Sequence, residues 1–96
     1  MNQVMLIGRL REKKEIEGIC YLEVGIKKIY QNEKGEYDED IIECVVDGGL
    51  AKNITEYCQV GNLMGIKGRV ENKNGLCIVA EKITFLTSGG NKNENV

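Results

Sequence analysis

The segment from Tyr37 to Val70 most constrains the fold, because its pattern of apolar residues changes period twice. β-Branched residues crowd the run Ile41–Val46, which predicts a strand that ends at the two glycines nearby. The next apolar residues recur at helical spacing up to Gly61 and predict a short helix with one buried stripe. Period two then returns in residues 63–70, which predicts a half-buried strand. The helical stripe consists of Leu50, Ala51, Ile54, Tyr57 and Cys58.

Residues 3–10 predict the first strand, and both faces of this strand are apolar. A strand in a small antiparallel sheet normally turns one face to water, so a second layer is expected to cover this one. We expect that layer to be a second copy of the chain, which predicts a dimer or a tetramer. The alternative is a central strand covered within the monomer. The predicted oligomer interface consists of Val4, Met5, Leu6 and Ile7.

Turn signals place the remaining strands. From Gly18 the alternation predicts a long second strand that runs to Tyr30, and a polar, glycine-closed tip at residues 32–35 joins it to the third. Asn74-Gly75 is typical of a tight hairpin turn, and it leads into a fifth strand, residues 76–86. The charged residues 11–17 are expected to connect the first two strands.

Five strands with one helix between the third and the fourth is the order of elements in an OB-fold. This fold is a small all-β Greek-key barrel whose outer face and loops bind oligonucleotides or oligosaccharides. At 96 residues the chain is long enough for one domain, which we place at residues 1–87. Residues 88–96 contain almost no apolar side chains and predict a disordered tail.

The composition argues against catalysis and against a metal site. The chain has no histidine, which removes the usual general base, and its only serine, Ser88, lies in the glycine-flanked tail. The four cysteines are too widely spaced for the paired ligands of zinc sites. We therefore expect reduced, buried thiols, no cofactor and no enzymatic activity.

The distribution of charge and hydropathy bears on location and partners. No stretch has the length and hydropathy of a transmembrane helix, and the first ten residues lack the pattern of a signal peptide, so we expect a cytoplasmic protein without membrane contact. The formal net charge of −2 gives no global attraction to nucleic acid. Any such function therefore requires a local basic patch.

Several stretches of the sequence resemble the bacterial single-stranded DNA-binding proteins. MNQVMLIGRL is similar to the first strand of that family, and NEKGEYDEDIIECVVDGGLAKNITEYCQVGNLMGIKGRV is similar to its hairpin, third strand, helix and fourth strand. AEKITFL resembles the last strand, so the resemblance covers nearly all of residues 1–87. It implies an OB-fold subunit that assembles as a homodimer or homotetramer. It also implies binding of single-stranded DNA without sequence preference during replication, recombination or repair.

The sequence departs from this family where the family stacks bases on aromatic rings. Tyr30 matches the aromatic residue at the end of the second strand, but Ile41 and Asp47 stand where the third strand usually presents aromatic residues. Stacking contributes about 1–3 kcal/mol per base, so these changes deplete the platform. The Asp47 carboxylate also repels phosphate. Such losses favour an alternative function, in which the barrel serves assembly or protein binding and nucleic-acid affinity is largely lost.

Basic residues of the first, second and fourth strands are expected to line one groove that follows a phosphate backbone. Because 15 acidic residues outnumber 13 basic ones, the alternative is that these are ordinary solvated charges. Tyr30 has its own alternative, packing at the base of the hairpin. The acidic residues between Glu33 and Glu43 predict a solvated hairpin that stays away from DNA. The predicted nucleic-acid contacts are Arg9, Lys27, Lys28, Tyr30, Lys67, Arg69 and Lys73.

Overall fold

The computed structural model describes residues 1–86 of the protein, apart from the side chain of Thr55. These residues form five strands and one helix, and the helix lies between the third and fourth strands, as the sequence predicts. The elements are β1 (Val4–Ile16), β2 (Ile19–Gln31), β3 (Tyr37–Val46), α1 (Gly48–Tyr57), β4 (Leu63–Asn72) and β5 (Leu76–Phe85). The predicted tail, residues 88–96, lies outside the described residues.

The strands close into a barrel in the order β1-β2-β3-β5-β4. Strand β1 makes closure possible because it has two partners: residues 4–9 pair with β4, and the residues from Arg9 onward pair with β2. All neighbouring strands are antiparallel except β3 and β5, which run parallel and pair at Cys44–Ile78 and Val45–Val79. This arrangement confirms the predicted OB-fold.

The connection predicted at residues 11–17 is wrong. Residues 11–16 continue β1, and the turn consists of Glu17 and Gly18, both at positive φ. The pairing with β2 shifts between Leu10 and Glu12, so a β-bulge lies at Arg11. These charged residues extend the strand because their backbone hydrogen bonding with β2 continues. The sequence did not indicate a strand here because their side chains show no alternation of apolar and polar residues.

Inward-facing residues of every strand form the core of the barrel, among them Leu10, Leu22 and Met64. Helix α1 contributes Ala51 and Ile54, and the residue after it contributes Cys58, as the apolar stripe predicts. Tyr57 was expected in the same stripe, but 68% of its surface is exposed. It is the last residue of α1, where a side chain with a polar hydroxyl remains in water.

All four cysteines are buried, as predicted. Burial raises the pKa of the Cys44 thiol to about 12 and that of the Cys58 thiol to about 11. Both thiols are therefore protonated at neutral pH and behave as small apolar groups in the core.

The tight turn predicted between β4 and β5 is present. Asn74 and Gly75 have φ values of 61° and 123°, and the amide of Gly75 donates to the side-chain oxygen of Asn72. At the β2–β3 tip, the side-chain oxygen of Asn32 accepts hydrogen bonds from the amides of Lys34 and Glu36. Within residues 1–86, no helix has both the length and the apolar character needed to cross a membrane.

Candidate nucleic-acid interface

The outer faces of β1, β2 and β3 together form a recess with a volume of about 230 Å³. Pairing places Arg9 of β1 opposite Gly25 of β2, and Lys27 of β2 opposite Glu39 of β3. We call this feature the cationic recess, because its lining includes three basic side chains and one carboxylate. The residues that line it are Ile7, Gly8, Arg9, Arg11, Gly25, Lys27, Glu39 and, from the start of β4, Leu63.

Two glycines give the recess its depth. A Cβ placed on Gly8 would lie 2.5 Å from the carbonyl oxygen of Gly25 and 2.8 Å from Cγ1 of Val24, so β1 and β2 approach closely there. A Cβ placed on Gly25 would overlap the carboxylate of Glu39. The space that a side chain would fill on β2 is therefore occupied by a carboxylate that reaches across from β3.

An ion pair between Arg11 and Glu39 crosses this space. Arg11 Nε donates to both carboxylate oxygens at 3.1 Å, and Arg11 Nη2 donates to Oε2. Since β2 lies between β1 and β3, the pair spans a strand and passes over Gly25. The hydrogen bonds from Arg11 lower the pKa of Glu39, and the charge of Lys27 lowers it further.

The recess keeps an excess of positive charge. Arg9 Nη1 donates to the carbonyl oxygen of Gly61 at 3.0 Å, and within residues 1–86 neither Arg9 nor Lys27 has a salt bridge. Three cations against one carboxylate leave a formal excess of two positive charges, in a chain whose net charge is −2. This is the local basic patch that nucleic-acid binding requires.

The other predicted cations lie in different surroundings. Lys28 binds Asp40 at 2.6 Å, and Lys73 lies 3.7 Å from Glu71. Arg69 binds the carboxylates of Glu71 and Glu81 at 2.7 and 3.0 Å, and Lys67 of β4 lies opposite Lys82 of β5. Of the six predicted cations, Arg9 and Lys27 line the recess.

Sequence reasoning missed Arg11 and Glu39. It assigned Arg11 to a connection and Glu39 to a solvated hairpin, whereas the fold pairs the two over Gly25. The contact joins residues 28 positions apart on strands that are not neighbours. The one available signal was Gly25, a glycine inside a regular strand alternation, which often marks a close approach.

Tyr30 lies near the end of β2, where the pairing with β3 becomes irregular between Lys27 and Gln31. The side chain is 64% exposed, so most of the ring faces solvent rather than packing at the base of the hairpin. Exposed aromatic rings of this kind stack on nucleobases regardless of base identity.

An apolar groove opens where β3 and β5 diverge. These strands pair at two positions, and beyond them residues 41–43 separate from the β4–β5 hairpin and leave a volume of about 250 Å³. We call this the seam groove; its apolar lining is Ile41, Ile42, Val70, Leu76, Cys77 and Ile78. Ile41 is half exposed and lies opposite Gly25, so it borders the cationic recess as well.

Asp47 lies away from both features. It is the N-cap residue of α1, its backbone is extended, and its exposed side chain forms no capping hydrogen bond. It follows Ile41 by six positions, which corresponds to about 20 Å along an extended strand. Its carboxylate therefore acts on a different part of the surface.

A second apolar groove, of about 390 Å³, lies on the outer face of β1, β4 and β5. Met5, Leu6 and Ile7 line it, and Met5 and Ile7 are 77% and 63% exposed, whereas Val4 and Leu6 pack against the core. The four residues of the predicted oligomer interface thus divide into two outward and two inward side chains. We call this feature the β1 groove; Gly65, Ile66, Lys67, Lys82, Thr84 and Leu86 also line it.

The described residues contain no cluster of three or more His, Cys, Asp or Glu side chains placed to hold a metal ion. The candidate site is built from three cations, the carboxylates of Glu39 and Glu43, apolar side chains and the exposed Tyr30. A closed five-stranded barrel with such a surface belongs to the oligonucleotide- or oligosaccharide-binding class of small barrels.

A model of the Single-strand binding protein family matches residues 1–75. The chain belongs to that family, and the resemblance seen in the sequence is confirmed. Single-stranded DNA-binding protein 3 of Listeria innocua is 31% identical, over 95% of this chain and 67% of the relative.

Two solved structures show the same fold. The small single-stranded DNA binding protein of Mycoplasma pneumoniae is 14% identical, with a TM-score of 0.73 that covers 100% of this chain and 99% of that one. The Plasmodium falciparum SSB, solved in complex with ssDNA, is 17% identical, with a TM-score of 0.69 over 90% of this chain and 95% of that one.

Proposed function

We propose that this protein binds single-stranded DNA without sequence preference, in replication, recombination or repair. The observation that carries the proposal is the cationic recess, which lies beside the seam groove on an OB-fold barrel and gives an acidic chain a local positive site. Membership of the Single-strand binding protein family supports it.

The geometry indicates how such binding works. Arg9 and Lys27 attract the phosphate backbone, while Ile41 and Tyr30 offer surface to the bases. Phosphates and the faces of bases are common to every sequence, so these contacts do not discriminate between sequences. With one exposed tyrosine at the predicted stacking position, electrostatic attraction supplies a larger share of the affinity than in relatives rich in aromatic residues.

The remaining predicted cations contribute less per residue. Lys28, Arg69 and Lys73 already have carboxylate partners, and each must exchange a carboxylate for a phosphate to bind DNA. The net gain of such an exchange is small. Lys67 has no salt bridge within residues 1–86, but it lies on the β1 groove rather than in the recess.

For assembly we propose a homodimer or a homotetramer that covers the β1 groove. Met5 and Ile7 are large apolar side chains that lie side by side with most of their surface exposed, and a second copy removes this surface from water. Val4 and Leu6 support the interface indirectly, because they fix β1 to the core.

We further propose that the protein acts in the cytoplasm and by binding rather than by catalysis. The chain has no histidine, and its four cysteine thiols are buried. Residues 1–87 are proposed to form the binding domain and residues 88–96 a disordered tail, whose composition offers little to pack.

The experiment that tests the proposal is a titration of labelled oligo-dT at low and moderate salt. With about three to five phosphates neutralised per subunit, log affinity is expected to fall by about 0.7 per contact for each tenfold rise in salt. Undetectable binding at low salt would contradict the proposal. In that case the alternative, a barrel used for assembly or protein binding, is favoured by the single exposed aromatic at the stacking position and by the cations already held in ion pairs.

A further inference from the structure

We infer that the cationic recess is a binding site for one backbone phosphate, and that Glu39 sets the affinity of this site by holding Arg11. The inference rests on the proposed function and deepens it, because it assigns one phosphate to one place on the barrel. It also assigns a role to Glu39, which competes with that phosphate for Arg11.

The bulge in β1 is what makes Arg11 available to the recess. Pairing passes from Leu10–Val24 to Glu12–Glu23, so Arg11 is an extra residue in β1 without a Cα partner on β2. Arg9, Arg11 and Glu12 are all exposed, whereas Leu10 is buried. The bulge therefore adds one arginine to the outer face beside Arg9.

Glu39 occupies the position that an anion would take. Its carboxylate lies over Gly25, accepts hydrogen bonds from Nε and Nη2 of Arg11, and has Lys27 as its cross-strand neighbour. A guanidinium that offers two N–H groups to a carboxylate offers the same pair to a phosphate. The phosphate and Glu39 therefore compete for Arg11, and the two remaining cations stay unneutralised until DNA arrives.

The charges give the direction of the effect. With Glu39 ionised the recess carries three cations and one carboxylate; without that charge it carries three cations alone. Glu39→Gln keeps the size of the side chain and removes the charge. Affinity for oligo-dT should rise about fivefold at low salt, the order expected when the released Arg11 makes one unit-charge contact with a phosphate in water. The salt slope should steepen by about 0.7, because Arg11 becomes one more phosphate contact.

Three further single variants and one double variant make the experiment specific. Glu33→Gln makes the same chemical change at an exposed position in the β2–β3 tip, and it should leave affinity nearly unchanged. Lys27→Gln should lower both the affinity and the salt slope. Arg11→Met should have a small effect alone, and combined with Glu39→Gln it should abolish the rise. This cycle separates a competitor that acts through Arg11 from a general effect of charge.

Each variant is first compared with the unmodified protein by circular dichroism and thermal unfolding, and oligo-dT binding is then followed by fluorescence anisotropy. If the unmodified protein binds but Glu39→Gln gains no more than Glu33→Gln, the inference is wrong and the proposed function stands. The same holds if the gain persists in the Arg11→Met background. If neither the unmodified protein nor Glu39→Gln binds at low salt, both are wrong. Should Glu39→Gln not fold, an unchanged affinity and slope in Lys27→Gln overturns the phosphate site by itself.

Discussion

Gly68 of β4 lies so close to Val79 of β5 that a Cβ on the glycine would overlap the valine carbonyl oxygen. The β4–β5 pairing shifts at this point, from Lys67–Lys82 to Gly68–Ala80. The obstructing atoms belong to the backbone, so they cannot move aside as a flexible side chain does. The absence of a side chain at position 68 is therefore a requirement of the barrel itself.

Gly68→Ala is expected to lower the free energy of unfolding by about 1–3 kcal/mol, because one strand must shift to admit the methyl group. Gly65→Ala on the same strand is the matched control. Its Cβ would meet Leu86 at 3.9 Å, an ordinary contact, so stability should stay the same or rise slightly. Urea unfolding of both variants measures the difference, and equal stabilities would contradict the close approach.

Met5→Glu and Ile7→Glu are expected to convert the proposed oligomer to a monomer, because each would place a charge in the proposed interface over the β1 groove. Ile29→Glu is the control, since Ile29 is 93% exposed on β2 and does not line the β1 groove. Light scattering at micromolar concentration gives the mass of each variant. A monomeric unmodified protein, or dissociation by Ile29→Glu as well, would count against this interface.

Tyr30→Ala should weaken oligo-dT binding by about 1–3 kcal/mol at any salt concentration, because it removes a stacking surface and no charge. Tyr57→Ala removes an equally exposed tyrosine from the end of α1 and should have no effect. Anisotropy titrations at two salt concentrations distinguish the variants. Equal losses for both, or a loss that grows with salt, would show that Tyr30 does not act by stacking.

The loss of folding stability at acid pH should depend on Glu39 and Glu71. Hydrogen bonds from Arg11 and Arg69 lower the pKa of these two carboxyls in the folded protein. A lowered folded-state pKa gives stability that is present above the unfolded-state pKa, about 4.3, and is lost as the pH falls through the folded-state value. Replacing both by Gln should flatten this loss, whereas Glu33→Gln should not. Urea midpoints measured from pH 6 to pH 3 test the prediction.

Deletion of residues 88–96 should leave both the melting temperature and the affinity for oligo-dT almost unchanged. The segment SGGNKNENV contains one apolar side chain, so its removal exposes little that was packed. Differential scanning calorimetry of the shortened and full-length chains is the measurement. A drop of several degrees would show that the tail docks on the barrel.

Local sequence patterns predicted most of the barrel because inward residues alternate with outward ones along much of β1, β2 and β4. Cys20, Leu22 and Val24 have no exposed surface, and Asn74-Gly75 turns as its dipeptide indicates. Residues 11–16 were missed because a strand whose outer face is charged shows no alternation. The register that leaves Arg11 without a partner depends on contacts with β2, which a local pattern does not contain.

The candidate site was harder to predict than the fold, because it depends on pairs that are distant in sequence. The basic residues were identified by type, and the structure brings two of them, Arg9 and Lys27, into one recess. Ile41 was interpreted as a lost aromatic residue, yet its position opposite Gly25 places it between the recess and the seam groove. Gly25 is buried and the Glu39 side chain lies over it because β1, β2 and β3 are neighbours in the sheet, which the sequence alone does not reveal.

The parallel contact between β3 and β5 also has a consequence for the dynamics of the barrel. Every other strand pair is joined by many more backbone positions than the two that join these strands. Local opening therefore breaks fewest bonds there, so amide hydrogens of this contact should exchange with solvent before those of β1 and β2. An opened contact exposes two strand edges at once, and such edges pair readily with extended chains. The contact of the barrel that opens most easily therefore lies beside the proposed DNA-binding surface.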